Sequence, residues 1–220
     1  MDKLEDYMEE EWRDLLKDEF TKEYYVKIEE ALENTKYLPD KQNVFEFTHG
    51  IKINDINVVI VGQDPYPKRE EASGLAFSTS KDYNRIPSCS RTIFSAIKKD
   101  YPEFIKPKTA SLHSWVEQGV LLLNDTLTVS EGRAGSHFYL NWNKFTDKVI
   151  DEISNKTNNT VFLLFGRRAC DKSRFIDENR HLIIESVHPS HYYAQKFINS
   201  KNFIKTNKYL KRKKNFEINW

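Results

Sequence analysis

Four short apolar runs stand out along an otherwise polar chain, at residues 58–61, 120–123, 161–165 and 182–184. Each is unbroken and rich in Val, Ile, Leu or Phe, which predicts strands buried on both faces, as inside a parallel sheet. Between the runs, apolar residues recur at spacings of three and four, the signature of amphipathic helices. Residues 1–35 show this twice, first through Leu4, Tyr7, Met8, Trp12, Leu15, Leu16 and Phe20, then through Tyr24, Tyr25, Ile28, Ala31 and Leu32. Pro39 and Asp40 end the pattern. A short helix is expected to begin over 44–47, and longer ones over 91–100 and 143–154. Residues 74–78 read as a short extended piece, and 86–90 as a loop containing Pro and Ser.

Strands alternating with helix-length segments predict one α/β domain over residues 1–220, with a central four-stranded, mainly parallel sheet flanked by helices on both sides. Right-handed crossovers would place every strand's carboxyl end on one edge, where open α/β sheets bind ligands. Asp64, Asn124, Arg167 and His188 follow the four strands in turn. They are therefore expected to converge on one cleft. Gly62 permits an abrupt turn after the first strand, and Pro65 and Pro67 stiffen the loop that carries Asp64.

Composition narrows this picture. Lys and Arg number 34 against 33 Asp and Glu, so the net charge of +1 neither demands nor excludes a polyanion. The acids gather early and the bases late, and a nucleic-acid surface should avoid the N-terminal helices. The basic run over 208–214 is most simply a solvated helix face. Cys89 and Cys170 are far apart and no signal peptide precedes them, which fits a reduced, intracellular setting. No apolar run is long enough to cross a bilayer. No zinc-like spacing, Walker loop or dinucleotide fingerprint occurs, so neither a metal nor a nucleotide cofactor is expected.

Asp64 could orient a water or steady a developing positive charge, while His188 could donate to a developing anion. The amide of Asn124 offers a donor and an acceptor, as reading a pyrimidine edge requires. Phe77 and Tyr66 are flat rings suited to stacking on a base. Taken singly, each is an ordinary turn, capping or core residue. Their joint order makes the difference. Gly62-Gln63-Asp64-Pro65-Tyr66, Gly74-Leu75-Ala76-Phe77-Ser78, Leu121-Leu122-Leu123-Asn124, Ser136-His137 and His188-Pro189-Ser190 together resemble the family 1 uracil-DNA glycosylases, over almost the whole chain.

The resemblance implies a DNA repair enzyme that flips deoxyuridine out of DNA and hydrolyses its N-glycosidic bond, leaving an abasic site. It implies Asp64 and His188 as catalytic residues. Asn124, Phe77, Tyr66 and the Gln63 backbone would bind uracil, with Tyr66 set against C5 to exclude thymine. It also implies a monomer that uses no cofactor and acts on uracil in single- or double-stranded DNA, with a DNA-mimicking inhibitor protein as a further partner. The setting would be the cytoplasm of a bacterium, or a nucleus or viral replication site. The rival reading is a glycosylase-like accessory protein that tethers a polymerase to DNA.

Several positions depart from the family pattern. Pro67 stands where His is common. Cys89 takes the place of a phosphate-contacting Ser, with Ser88 and Ser90 as candidates to replace it. Arg167 follows Gly166 where a small hydroxyl residue is usual, and could contact phosphate directly. After His188-Pro189-Ser190 come His191 and Tyr192 instead of the Pro-Leu that enters the base stack, so Tyr192 or His191 would be the wedge.

Overall fold

The computed structural model describes residues 2–33 and 35–220. Met1 and Asn34, which fall within the predicted N-terminal helices, lie outside the described residues. Strands β1 (Val58–Gly62), β2 (Val120–Asn124), β3 (Val161–Phe165) and β4 (Leu182–Ser186) form one sheet in the order β2-β1-β3-β4. Every neighbouring pair is parallel, with Val58 opposite both Val120 and Val161. The first three strands are buried throughout, as unbroken apolar runs require. β4 is an edge strand and half-exposed.

The helices are α1 (Glu10–Leu15), α2 (Glu23–Glu33), α3 (Ser88–Asp100), α4 (His113–Val116), α5 (Trp142–Lys156), α6 (Arg167–Cys170), α7 (Ala194–Ile198) and α8 (Asn202–Lys214). α3 packs on α7 and α8, and α8 lies along β3 and β4; α2 packs on α5. Tyr25, Phe45, Trp142 and Phe145 meet edge-to-face or tilted between them, with ring centroids 5.5–6.4 Å apart. The four-residue spacing of Leu4, Met8, Trp12 and Leu16 is buried as read.

Four local expectations are corrected. The first long helix is broken into a 3-10 turn over Glu5–Tyr7, α1, and a second turn over Lys17–Glu19. Met8 and Glu9 leave helical geometry, and the Glu9 N–H donates to the Thr48 hydroxyl instead of a helical carbonyl. Residues 74–78 are a turn, not an extended piece. The Ser78 N–H donates to Leu75 and the Ala76 N–H to Leu122 of β2, and Phe77 has a left-handed φ of 62°. Finally, α3 begins at Ser88, not Arg91, which puts Ser88, Cys89 and Ser90 in its first turn. The short helix over 44–47 resolves into single turns at Lys41–Asn43 and Glu46–Thr48.

The strand order fixes where a ligand can enter. The chain leaves β1 for β2 on one side, then crosses back to β3 on the other. Loops leaving β1 and β3 therefore diverge, and a crevice opens outside their carboxyl ends. Asp64 follows β1 and Gly166-Arg167 follows β3.

Candidate active site

Gly62 closes β1 where two side chains crowd it. A Cβ there would lie 2.8 Å from Asn124 Oδ1 and 3.1 Å from the Phe77 ring. The absence of that carbon lets both settle over the strand end. Asn124, the last residue of β2, is only 2% exposed, with its Oδ1 set against Gly62 at the carboxyl end of the sheet.

Phe77 continues the wall. Its ring centroid lies 5.9 Å from that of Phe165 and 5.9 Å from that of His188. A φ of 62° at a bulky residue costs about 1–3 kcal/mol and gathers at functional sites. His188 reaches the cleft from the loop after β4, passing close to Gly166. A Cβ on Gly166 would be 3.1 Å from His188 Cβ, and its φ of 97° suits only glycine. Burial pushes the His188 imidazole below its ordinary value of 6.5, and the nearby Asp64 charge pulls the other way without prevailing. His188 is therefore neutral at pH 7, with a hydrogen to donate and no protein acceptor among the described residues.

Asp64 is held on both oxygens. The Gln63 side-chain amide donates to Oδ1 at 2.9 Å and the Gly135 N–H to Oδ2 at 2.6 Å. Gly135 belongs to the Gly-Ser-His segment, whose His137 sits between Thr128 at 2.8 Å and Ser130 at 3.0 Å. Tyr66 is tied down by its hydroxyl, 2.7 Å from Ser90 Oγ, while Ser90 itself donates to the Phe77 carbonyl at 2.8 Å. Burial pushes the Tyr66 hydroxyl pKa well up, so it stays protonated.

The structure thus places Gln63, Asp64, Tyr66, Phe77, Asn124 and His188 about the carboxyl ends of the strands, where the strand pattern leads one to expect Asp64, Asn124, Arg167 and His188. Of the phosphate-contact candidates, Ser90 is excluded because it is buried and committed inward. Ser88 is exposed at the start of α3. Cys89 is half-buried, and burial, helped by the Asp64 charge, pushes its thiol up to about 11. Arg167 is exposed at the start of α6, Ser190 is half-buried, and His191 and Tyr192 stand on an exposed turn over His191–Tyr193. Tyr192 is 93% exposed.

Sequence reasoning missed a buried ionic cluster beneath the site. Asp125 receives Lys172 Nζ at 2.9 Å on one oxygen and Arg168 Nε at 2.6 Å on the other. Lys172 also reaches Asp147 at 2.7 Å and the Thr146 hydroxyl at 2.8 Å. The Asp125 N–H donates to Gly62 and the Thr126 N–H to Gln63, both at 3.0 Å. This ties the loop after Asn124 to the loop of Asp64. The signal available was an acid directly after Asn124, where a buried strand ends.

The model of the uracil DNA glycosylase superfamily matches residues 50–211 of this chain. The chain belongs to the uracil DNA glycosylase superfamily. Relatives within it include a uracil-DNA glycosylase of Francisella tularensis, 41% identical over 95% of this chain and 97% of that protein. Another, from Alkaliphilus oremlandii, is 42% identical over 96% of both chains. Among solved structures, the mimivirus uracil-DNA glycosylase superposes with a TM-score of 0.92 over 100% of this chain and 89% of its own, at 26% identity. A Y322L form of that viral protein has been solved in complex with UGI, at 25% identity and a TM-score of 0.90. The superfamily's four-stranded parallel sheet with flanking helices is the fold described above. Among the described residues, no helix is long and apolar enough to cross a membrane.

Proposed function

We propose that this protein repairs DNA by excising uracil, in the manner of the family 1 enzymes. A flipped deoxyuridine would enter the crevice, its N-glycosidic bond would be hydrolysed, and uracil and an abasic site would leave. One observation carries the reading: the Asn124 amide and the Phe77 ring meet over Gly62 at the strand ends, with His188 against that ring and Asp64 close by.

Asn124 would pair with uracil N3–H and O4, an arrangement that cytosine mismatches. Phe77 would stack on the base, with the Gln63 backbone completing the polar contacts. Tyr66, anchored through Ser90, would stand against C5, where thymine carries a methyl. A wall of this kind excludes more strongly than a missing contact, which is worth only ~1–3 kcal/mol. Bond breaking would run ahead of water attack. The sugar then becomes cation-like and the uracil leaves as an anion. Asp64, clamped by Gln63 and Gly135, would face the cation and orient the water. His188 would donate to uracil O2 as charge builds there, a preorganised contact worth ~10²–10³ in rate.

Ser88, Ser190 and Arg167 would hold the lesion strand by its phosphates, with Cys89, as a protonated thiol, a weaker donor. Tyr192 would stack into the gap left by the flipped base, with His191 beside it. A DNA-mimicking inhibitor would compete for the same face. The protein would act as a monomer, wherever its genome is kept.

The test uses oligonucleotides containing uracil, thymine or neither, incubated with protein in EDTA and then cleaved with alkali. Breaks are expected only at uracil and should be undiminished by EDTA. Equal cutting at thymine, or a requirement for metal, would overturn the mechanism. DNA binding with no cutting would favour the polymerase-tethering rival.

A further inference from the structure

The two hydrogen bonds to the Asp64 carboxylate are secured in different ways. Gln63, which donates to Oδ1, sits on a ladder: its carbonyl accepts the Thr126 N–H, next to the bond from Asp125 to Gly62. Gly135, which donates to Oδ2, has no such support. The four residues before it, 131–134, are all exposed. The Gly132 N–H donates to the Pro67 carbonyl at 2.7 Å and the Ser130 N–H to the Ser136 hydroxyl at 2.8 Å, and neither bond involves Gly135. An exposed segment with so few internal ties opens readily, so something else must keep the Gly135 N–H on its target.

The Phe138 ring lies against Gly135. A Cβ at 135 would be 2.8 Å from one ring carbon, and the Gly135 carbonyl accepts the Phe138 N–H at 3.2 Å. The ring is half-buried yet stands outside the main apolar core. Arg168 covers one of its faces, with the guanidinium carbon 4.1 Å from the ring centre, the closest cation–ring approach among the described residues. The Arg168 Nε donates to Asp125 at 2.6 Å, which fixes where the guanidinium plane lies. A planar cation is attracted by the negative face of a ring, more so where water is partly excluded. The half-buried Arg168 meets that condition.

We infer that Arg168 is a positioning residue for Asp64: fixed by Asp125, it holds the Phe138 ring against Gly135 and so keeps the Gly135 N–H on Oδ2. The inference rests on the reading of Asp64 as the group that faces the cation and orients the water. The two sides of the carboxylate do not depend on Arg168 equally. Without Arg168, Asp125 still has Lys172 at 2.9 Å, so the Gln63 side stays in place. On the Gly135 side, Arg168 is the only cation over the Phe138 ring among the described residues, and that side loosens. Asn124 and Phe77 still receive the base. The expected defect is therefore in turnover, not in binding.

The test follows amide signals by NMR alongside uracil release from single-stranded DNA. In the parent, the short bond to Asp64 should draw the Gly135 amide proton downfield and slow its exchange with water. Arg168→Met and Phe138→Leu should each move that signal upfield and speed its exchange about tenfold, while the Ile60 amide of β1 stays protected. Phe138→Tyr, which keeps the ring face, should behave as the parent. In the first two variants kcat should fall about tenfold with KM little changed, short of the ~10² of a full displacement. Because the two residues act in series, the double variant should be no slower than either alone. An unmoved Gly135 signal in Arg168→Met, an unchanged kcat beside a moved signal, or losses that multiply in the double variant would overturn the inference. So would equally faster exchange at Ile60, the mark of a merely structural role. If the parent releases no uracil at all, the excision reading fails, while the Gly135 signal still decides whether Arg168 holds that N–H on the carboxylate.

Discussion

The Gly135 backbone N–H donates to Asp64 Oδ2 at 2.6 Å, joining residues 71 positions apart. Gly135 has a φ of 75°, and a Cβ there would sit 2.8 Å from the Phe138 ring. Gly135→Ala should therefore swing the N–H away from the carboxylate. A shift of this kind far from the bond being broken can cost on the order of 10²-fold in rate. We expect kcat to fall with KM little changed, measured by uracil release under saturation. Asp64→Asn should lose ~10²–10³ or more in kcat while binding DNA nearly as well. A variant that loses binding in parallel would show that the carboxylate serves mainly to hold the loop.

Tyr66 is positioned by Ser90, so the C5 wall should weaken in two grades. Tyr66→Ala should gain measurable excision of thymine, and Ser90→Ala a smaller gain, because the ring remains but its anchor is lost. The check is thymine release from the same strand. No gain from Tyr66→Ala would place discrimination elsewhere.

The histidines give a pH signature. His188, His137 and His181 all titrate below the ordinary 6.5, each chiefly because of burial. At these three groups the unfolded chain binds more protons than the folded one below about pH 6.5, and His49, raised chiefly by its hydrogen bond to Glu46, opposes them singly. Stability should be fully present above that value and be lost as pH falls through the folded pKa values. Thermal melts from pH 8 to 5 should show a falling Tm, with a shallower slope in His188→Gln. kcat should fall over the same acidic range if the neutral ring is the working form. A protein more stable at pH 5 than at pH 7 would contradict the sign.

Lys172 is 1% exposed and depends on Asp125 and Asp147 for its charge. Breaking a buried pair from one side leaves the other charge stranded, at about 3–5 kcal/mol. Asp125→Ala should cost about that much in denaturant unfolding. The double replacement Asp125→Leu/Lys172→Met should recover a large part of it. If the loop tie to Gly62 and Gln63 matters for the site, the recovered variant will still show a raised KM for uracil-containing DNA.

Tyr192 makes a separate prediction. Tyr192→Ala should slow uracil release from duplex more than from single strands, because only the duplex has a stack to fill. Equal losses would point to His191 or to another residue of that turn.

Much of this was legible in the chain itself, for identifiable reasons. The strands announce themselves because burial on both faces leaves no room for polar residues, and parallel order then brings their ends together. That is why Asp64, Asn124 and His188 could be grouped before any coordinates. Ser90 is expected at the phosphates rather than as the anchor of Tyr66, and the roles of Asp125 and Gly135 escape notice, because all three depend on long-range partners. Ser90 turns inward on a helix that starts three residues earlier than its apolar spacing suggests. Phe77 was placed near the base, but its turn was read as extended. The sequence holds no glycine at 77 to betray a left-handed backbone, and only the bond from Ala76 to Leu122 explains the bend.

That bend has a wider consequence. The unfavourable torsion at Phe77 is built into the fold itself, so the protein is less stable than a chain free of it would be. Glycine at 77 would relieve the backbone and delete the ring together; no single natural replacement keeps the plane and removes the tension. The protein is therefore held away from its own stability optimum by the shape of one aromatic platform, and selection for a sturdier fold alone would erode the pocket.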